Sequence, residues 1–345
     1  MSLIVETPPA QSNVITLRDR RVQRGTRADR FRRLRVGLVN NMPDSAVHAT
    51  ERQFSSLLID AGDDFDLRLT LVGLNTLPRE KEAREAMAPT YRDPQQMRAA
   101  ALDAVIVTGA EPRSPNLPDE PYWAELTALL DFLRGGVRST LYSCLAAHAA
   151  VLHRDGIPRR RLPRKLSGVF ESQIVAPHEL TQGLQRIFTP HSRYNALAEC
   201  DLVANGYQIL TRSREAGPDV FIRDDESLEV FWQGHPEYIS DTLAREFRRD
   251  ILRYFNHEWP RRPLPPQAYF DAAAMGRIQT ALAAQRDGRA SIEELMQAVA
   301  PDKLAPAVAL WRDTAKQLVR NWLHEISRRK ADAAADTFAR VRWGG

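Results

Sequence analysis

Arg138-Ser-Thr-Leu-Tyr142 leads directly into Ser143-Cys144-Leu-Ala-Ala-His148-Ala-Ala-Val-Leu152. The first five residues have the pattern of a buried strand, and the alanine-rich segment that follows is typical of a helix. The stretch therefore predicts a strand-to-helix turn with Cys144 at its centre. In a parallel α/β sheet such turns lie at the carboxyl edge of the strands, where side chains are free to act.

The segments before this turn alternate between strands and helices. Strands are predicted over residues 34–39, 66–72 and 103–109, and the last has the nearly continuous apolar character of a strand buried on both faces. Helices are predicted before Gly62 and over residues 120–136. Residues 75–100, by contrast, are polar and read as irregular. This order indicates an α/β fold built on a parallel sheet.

The second half of the chain mixes short strands with helices. Strands are predicted over residues 207–210 and 228–232. Ser240 or Asp241 then caps a helix that ends near Trp259.

A proline-rich linker follows at residues 260–266. Residues 270–340 read as wholly helical, with a turn at Asp287-Gly288 and a helix cap at Ser291 with Glu294. We therefore expect three regions: a basic N-terminal arm over residues 1–33, an α/β core over residues 34–259 and a helical C-terminal region over residues 260–345.

The composition excludes several classes of protein. With 43% hydrophobic and 27% charged among 345 residues, the chain is neither intrinsically disordered nor collagen-like. The net charge of +4 is local, because nine arginines stand against two aspartates between Arg18 and Arg35. We read this arm as a solvated extension or a contact for an anion or a partner. No zinc-finger, RRM or basic-zipper pattern accompanies it, so nucleic-acid binding is not expected.

Neither a membrane-spanning apolar run nor a signal-peptide pattern is found, so we expect a cytoplasmic protein without a membrane partner. The two cysteines exclude a disulfide framework and a cysteine-rich zinc site, and no metal is expected. Cys144 is a candidate nucleophile because helix amides and the helix dipole at a strand-to-helix turn favour a thiolate. Cys200 has no strand leading into it and reads as structural.

A thiol nucleophile needs a base, and the base needs a group that orients it. His235-Pro236-Glu237 supplies both within three residues, since extended geometry places His235 and Glu237 on the same side. A surface turn with a chance histidine would give the same triplet. His191 and His148 are the alternative bases, or are buried structural histidines.

Several motifs together resemble one enzyme family. They are, in chain order, Thr108-Gly109-Ala110, Pro121-Tyr122-Trp123, Cys144, Gly156-Ile157-Pro158, Lys165-Leu-Ser-Gly-Val-Phe-Glu171, Pro190-His-Ser-Arg-Tyr194 and Gly234-His-Pro-Glu-Tyr238. The series resembles the homoserine O-succinyltransferases of methionine biosynthesis, and by this resemblance the chain is identified as a divergent member. The resemblance implies a parallel-sheet sandwich of the class I glutamine amidotransferase-like (flavodoxin-like) kind with a helical C-terminal extension.

The resemblance also implies site residues and substrates. Cys144 matches the nucleophile that carries the acyl group as a thioester, His235 the base and Glu237 its orienter. The backbone N–H groups of Ala110 and Leu145 would meet the oxyanion. The substrates are an amino acid and acyl-CoA, with succinyl-CoA or acetyl-CoA as co-substrate and no tightly bound cofactor, and the enzyme is expected to be a homodimer. The residues matching the surroundings of the substrate are Lys165, Ser192 and Arg249.

Four departures from the family pattern concern substrate choice. Arg113 stands where members separate succinyl from acetyl donors by Gly or Glu, and a guanidinium there favours a donor with a terminal carboxylate. Leu145 and His148 replace the usual Trp and Gln, and Asp44-Ser45 replaces lysines.

The sequence thus predicts an acyl-CoA-dependent O-acyltransferase that acts on an amino-acid hydroxyl, homoserine by default. Arg159-Arg-Arg161 and Arg164 neutralise CoA phosphates in this interpretation, or form a solvated loop. Two other interpretations stay open: an acyl or amide transferase acting on a different amino or hydroxy acid, and a binding protein without catalysis.

Overall fold

The computed structural model describes residues 3–6, 15–16, 32–301, 304 and 309–343. Most of the predicted basic arm, including residues 17–31, lies outside the described residues. The strands are β1 (Leu3–Val5), β2 (Ile15–Thr16), β3 (Arg33–Val39), β4 (Asp66–Val72), β5 (Tyr91–Arg92), β6 (Ala104–Val107), β7 (Ser139–Ser143), β8 (Arg160–Ile174), β9 (Ile187–Ala196), β10 (Gln208–Ile209), β11 (Thr211–Ser213), β12 (Gly217–Pro218), β13 (Val220–Asp224) and β14 (Leu228–Trp232). The α-helices are α1 (Val47–Ala61), α2 (Lys81–Met87), α3 (Pro94–Ala99), α4 (Trp123–Gly136), α5 (Leu145–Asp155), α6 (Glu199–Ala204), α7 (Thr242–Phe255), α8 (Ala272–Arg286), α9 (Ile292–Ala298) and α10 (Leu310–Trp343).

The main sheet has the order β10-β13-β14-β7-β6-β3-β4-β1-β2, with β5 also paired to β4. From β14 to β1 every neighbouring pair is parallel, whereas β13 is antiparallel to β14 and β2 to β1. The prediction of an α/β fold with a parallel sheet is confirmed. The antiparallel strands at the two edges make the sheet as a whole mixed.

Alternate side chains of the central strands enter hydrophobic clusters on opposite faces of this sheet. Val36 and Leu38 of β3 pack on the face that also holds Phe54 of α1 and Trp322 of α10. Val39 packs on the other face, against α4 and α5. This period of two is what a strand buried on both faces requires.

A second sheet has the order β12-β11-β8-β9, and its strands pair antiparallel. Its long strands, β8 and β9, were not predicted from the sequence. In β8 the first residues are arginines, lysine and proline on an exposed edge, and burial starts only at Gly168. No apolar alternation therefore marks its first half. The interpretation of residues 159–164 as a solvated loop is wrong, because residues 160–164 belong to β8.

The interpretation of residues 75–100 as irregular is also wrong in part, since this region contains α2, β5 and α3. Both helices are too short for a periodic apolar pattern. The signal for α3 was local: Asp93 and Gln96 form a capping box and Pro94 occupies the first turn.

The described part of the C-terminal region contains α8, α9 and α10, and α8 ends at the predicted turn. Ser291 and Glu294 form the predicted capping box, and Gly288 has a positive φ in the predicted turn. α10 packs on the main sheet, where Trp322 Nε1 donates a 2.7 Å hydrogen bond to Ser139 Oγ. Trp311 Nε1 donates to the backbone oxygen of Tyr238 at 2.8 Å. The C-terminal helix thus supports the segment that follows β14. The division into three regions stays a prediction.

Candidate active site

Cys144 lies between β7 and α5 with φ +51° and ψ −112°, a conformation that is rare for a residue with a side chain. Its backbone N–H donates to Trp232 O at 2.8 Å, which fixes the turn to the end of β14. The parallel pairing of β7 with β14 therefore brings Cys144 to the segment that follows β14 in the chain. Strain held in this way at a sheet edge is typical of a nucleophile.

That following segment carries His235 and Glu237. His235 Nδ1–H donates to Glu237 Oε1 at 2.9 Å, so the Nε2 side of the ring is left for its hydrogen bond with Cys144. The ring of Tyr238 stacks on His235, with centroids 4.2 Å apart. The structure thus brings Cys144, His235 and Glu237 together in the order that nucleophilic catalysis requires.

The electrostatics of His235 differ from those of an ordinary buried histidine. Burial lowers the pKa of His235, but the negative charges of Cys144 and Glu237 outweigh burial and hold that pKa well above the usual value. A protonated imidazole therefore faces the sulfur. An imidazolium beside the sulfur is the partner that a cysteine nucleophile requires.

The two alternative bases, His148 and His191, are engaged with other partners. His148 is buried, and its Nε2 lies 3.1 Å from Gln233 Oε1; burial lowers its pKa to about 3. His191 is fully buried in β9, where Arg193 Nε donates to its Nδ1 at 3.2 Å and Asp219 Oδ1 lies 3.3 Å from its Nε2. Both have the surroundings of structural histidines.

The predicted oxyanion donors lie where the loop after β6 meets the start of α5. A Cβ on Gly109 would come within 3.1 Å of Leu145 N and 3.3 Å of Leu145 Cβ, so the loop backbone packs directly on the helix terminus. Ala110 and Leu145 line one recess together with Asn41. Asn41 Oδ1 is buried there without a hydrogen-bond partner among the described residues. Asn41 was not among the predicted site residues, although its position just after β3, at the carboxyl edge of the sheet, was the available signal.

Arg113 lies in the same loop, and its side chain is exposed. Within the part of the chain that the structure describes, its guanidinium has no hydrogen bond or ion pair, whereas its backbone N–H donates to Glu120 Oε1 at 2.6 Å. Glu111 binds Arg253 of α7 at 2.6 Å. The loop is therefore held at both ends, while the guanidinium of Arg113 stays available.

Lys165, Ser192 and Arg249 meet around two carboxylates of α7. Lys165 Nζ lies 2.6 Å from Asp250 Oδ2 and 3.5 Å from Glu246 Oε2, and Ser192 Oγ donates to Glu246. Arg249 Nη2 lies 3.2 Å from Asp250 Oδ1 and its side chain is 44% exposed. The three residues predicted from the family resemblance are thus brought together.

Glu246 connects this cluster to the histidine. Tyr238, whose ring stacks on His235, donates from its hydroxyl to Glu246 Oε1 at 2.8 Å. Burial raises the pKa of Glu246, but Lys165 and Arg249 outweigh burial and lower that pKa to about 2. Glu246 and Asp250 were not predicted as site residues, because acidic residues on a charged amphipathic helix give no sequence signal that separates a binding role from a solvated one.

Asp44, which replaces an expected cation, pairs with Arg79. Arg79 Nη1 lies 2.9 Å from Asp44 Oδ1, and the buried guanidinium also donates to the backbone oxygens of Asn40 and Met42. Arg79, which is 35 residues away from Asp44 in the sequence, therefore holds the turn after β3. A contact over this separation was not predictable from the sequence.

Among the described residues, no three or more His, Cys, Asp or Glu side chains are grouped so that they could hold a metal ion. No helix in the same described part of the chain is long and apolar enough to cross a membrane.

Comparison with known proteins shows relatives over most of the chain. The homoserine O-succinyltransferase of Methylorubrum extorquens is 45% identical over 304 residues, which cover 88% of this chain and 90% of that protein. The homoserine O-succinyltransferase of Bradyrhizobium japonicum is 43% identical over 295 residues, with 84% and 89% covered. A solved glutamine amidotransferase from Methylobacillus flagellatus is similar at 12% identity and a TM-score of 0.46, with 85% of this chain and 95% of that chain covered. The family model of homoserine O-succinyltransferase matches residues 10–331, and the chain belongs to that family.

Proposed function

We propose that the protein transfers a succinyl group from succinyl-CoA to the hydroxyl of L-homoserine and releases CoA. Family membership makes it an acyltransferase of methionine biosynthesis. The observation that carries the proposed mechanism is the contact of Cys144 with His235 and of His235 with Glu237. A binding protein without catalysis would need none of these contacts.

The first half-reaction acylates the enzyme. The Cys144 sulfur attacks the thioester carbonyl of succinyl-CoA, and the backbone N–H groups of Ala110 and Leu145 receive the negative charge of the tetrahedral intermediate. The carbon–sulfur bond to CoA then breaks, and the leaving CoA thiolate takes the proton from His235. One thioester replaces another, so no large difference in bond energy opposes the step.

The second half-reaction passes the acyl group on. His235, now neutral, removes the proton from the homoserine hydroxyl as its oxygen attacks the Cys144 thioester carbonyl. The bond to sulfur breaks, which regenerates the Cys144 thiolate beside protonated His235 and releases O-succinylhomoserine. Glu237 holds the ring in the required tautomer and stabilises its charge throughout.

The acceptor binds at the cluster of Lys165, Ser192 and Arg249 in this proposal. Homoserine carries a carboxylate and an ammonium group, and the cluster offers both charges. Arg249, the half-exposed cation, takes the carboxylate together with Lys165, while Glu246 and Asp250 face the ammonium group. Ser192 positions Glu246 through its hydrogen bond.

The donor is selected by Arg113. Its free, exposed guanidinium offers paired donors to the terminal carboxylate of a succinyl group, which an acetyl group lacks. The proposed reaction needs no tightly bound cofactor. The expected homodimer and cytoplasmic location are part of the same proposal, supported by the family resemblance.

The test is a panel of donors and acceptors in which release of the CoA thiol is followed over time. Succinyl-CoA with homoserine should release CoA many times faster than succinyl-CoA with serine or acetyl-CoA with homoserine. Rapid release with another amino or hydroxy acid alone would instead support a transferase of different acceptor specificity. If none of the acceptors in the panel causes turnover that releases CoA, the proposal is refuted.

A further inference from the structure

A cavity that adjoins the candidate active site lies between β8, the end of α7 and the linker of residues 260–266. It measures about 790 Å³, within the range of small-molecule sites. Lys165 and Asp250 line it, and both also belong to the acceptor cluster described above. The cavity therefore adjoins that cluster through these two side chains.

The charge of this cavity is strongly positive. Four arginines line it, namely Arg161, Arg164, Arg261 and Arg262, and Asp250, already paired with Lys165 and Arg249, is the acidic residue among its lining. None of the four arginines forms an ion pair with a carboxylate among the described residues, whereas the neighbouring Arg160 pairs with Asp201 and Arg253 with Glu111. Unpaired guanidinium groups on a concave surface match a ligand with several phosphate oxygens.

Two of these arginines are held in place by neutral groups. Arg261 Nη1 donates to Pro163 O at 3.1 Å, and Arg262 Nη2 donates to Leu282 O and to Gln285 Oε1 at 3.2 and 3.1 Å. Arg262 Nε is buried without an acceptor in the described part of the chain. These contacts orient the guanidinium groups without neutralising their charge.

The cavity also contains an aromatic wall. Tyr194 and Trp259 pack edge to face with ring centroids 5.4 Å apart, and the Arg161 guanidinium lies 4.5 Å from the Tyr194 ring centroid. Such a set of rings and guanidinium planes is suited to stacking with a purine base. Phosphate and base recognition are thus combined within one cavity.

We propose that this cavity binds the 3′-phosphoadenosine diphosphate end of CoA, with Arg161, Arg164, Arg261 and Arg262 at the phosphates and Tyr194 and Trp259 at the adenine. The inference rests on the proposed function, because it supposes an acyl-CoA donor. Ser192 belongs to the acceptor cluster and Tyr194 lines the cavity. They are two residues apart in β9, so their side chains lie on the same face of that strand. The pantetheine arm then leads from the cavity toward Cys144.

The structure separates these arginines from their sequence neighbours. Arg159 donates to the backbone oxygens of Ser114 and Pro115, and Arg160 pairs with Asp201 at 2.7 Å, so neither lines the cavity. Arg160→Ala is therefore a matched control for Arg164→Ala, since both remove one exposed arginine from the same strand.

The first experiment measures binding of CoA and of 3′-dephospho-CoA by isothermal titration calorimetry. The wild-type protein should bind CoA about 10-fold more tightly than 3′-dephospho-CoA, because one charged hydrogen-bonding group is lost. Arg164→Ala and Arg261→Ala should each weaken CoA binding about 10-fold. Trp259→Leu should also weaken it, and Arg160→Ala should bind like the wild type. Wild-type affinity in both arginine variants and in Trp259→Leu, or no binding of CoA at all, would overturn the assignment.

The second experiment separates failure of this site from failure of the proposed function. Succinyl-N-acetylcysteamine carries the same thioester without the nucleotide, so the ratio of kcat/KM for succinyl-CoA to that for this short donor reports on the cavity. The ratio should fall about 10-fold in Arg164→Ala and stay at the wild-type value in Arg160→Ala. An unchanged ratio in an active Arg164→Ala enzyme contradicts the cavity and leaves the function standing. Failure of the wild type to succinylate homoserine from either donor contradicts the function, and the binding experiment still judges the cavity.

Discussion

At the scale of single residues, the buried His148 and His191 and the largely buried His235 are distinguished by what surrounds them. Burial lowers the pKa of His148, His191 and His235 alike. His148 faces a neutral amide, and the charge of Asp219 beside His191 does not overcome burial. Among these three histidines, His235 is the one whose pKa is raised, because the negative charges of Cys144 and Glu237 outweigh the effect of burial.

The His-x-Glu triplet was predictable from sequence because its geometry is local. The roles of Tyr238 and Glu246 were not, because they depend on contacts between β9, the segment after β14 and α7.

His235→Ala should lower kcat/KM by a factor of about 10²–10⁴, because proton transfer is lost in both half-reactions. Glu237→Gln should retain measurable activity, since a glutamine oxygen still accepts from Nδ1–H but supplies no charge. Initial rates of CoA release with homoserine measure both effects. His48→Ala, at an exposed histidine of α1, is the control and should match the wild type. Wild-type rates in His235→Ala would place the base elsewhere.

Arg113→Ala should change donor choice rather than the chemical step. Losing the guanidinium removes a charged hydrogen bond to the succinyl carboxylate, so kcat/KM for succinyl-CoA should fall about 10-fold while that for acetyl-CoA changes little. The measured quantity is the ratio of the two kcat/KM values in wild type and variant. If the ratio is the same in both proteins, Arg113 does not contact the donor.

At the scale of elements, the site depends on a close approach between two segments that are distant in sequence. Gly234 lies against β9, and a Cβ there would come within 2.8 Å of Pro190 O and meet the Thr189 side chain even more closely. His235 N donates to Pro190 O at 2.8 Å, so this approach also sets the position of the base. The contact of the His235 segment with β9 could not be predicted from the sequence. β9 is placed there by its pairing with β8 in the second sheet, and the exposed first half of β8 carries no apolar alternation.

Gly234→Ala should therefore lower both stability and activity, because β9 or the His235 segment must move to admit the methyl group. Gly276→Ala is the matched control: Gly276 lies within α8 with nothing within 4 Å of the added Cβ. There the same substitution should stabilise the protein by up to about 1 kcal/mol through helix propensity. Urea unfolding and CoA release measure the two effects. A Gly234→Ala protein as stable and active as the wild type would contradict the described contact.

At the scale of the whole molecule, helices on both faces of the main sheet bury two clusters, and α10 closes one face although it lies far away in sequence. The longer elements up to α5, namely β3, α1, β4, β6, α4, β7 and α5, were predictable because each carries its own apolar period. The short elements α2, β5 and α3 between them were not. The docking of α10 was not, since it rests on Trp311 and Trp322 finding partners in segments about 70 and 180 residues away. Long-range packing of this kind leaves no local pattern.

Global stability should depend on pH through His148. Its pKa is about 3 in the folded protein and about 6.5 in an unfolded chain, so between these values only the unfolded chain binds the proton. Lowering the pH from 7 to 5 therefore favours unfolding by ~2 kcal/mol at this residue. His148→Gln removes this contribution to the pH dependence. All other titrating groups are the same in the wild type and the variant, so their contributions cancel in the comparison. In urea unfolding at the two pH values, the wild type should lose ~2 kcal/mol more than the variant. Equal losses would show that His148 is not buried as a neutral side chain.

The central claim is that Cys144 carries the acyl group, and peptide mass spectrometry after mixing with succinyl-CoA tests it most directly. Without acceptor, the succinyl adduct should lie on the peptide that contains Cys144 and not on that of the exposed Cys200, whose Sγ donates to Asp201. Addition of homoserine should remove the adduct as O-succinylhomoserine forms, and Cys144→Ala should show no adduct at all. An adduct on Cys200 alone, or one on Cys144 that homoserine does not remove, would contradict the account.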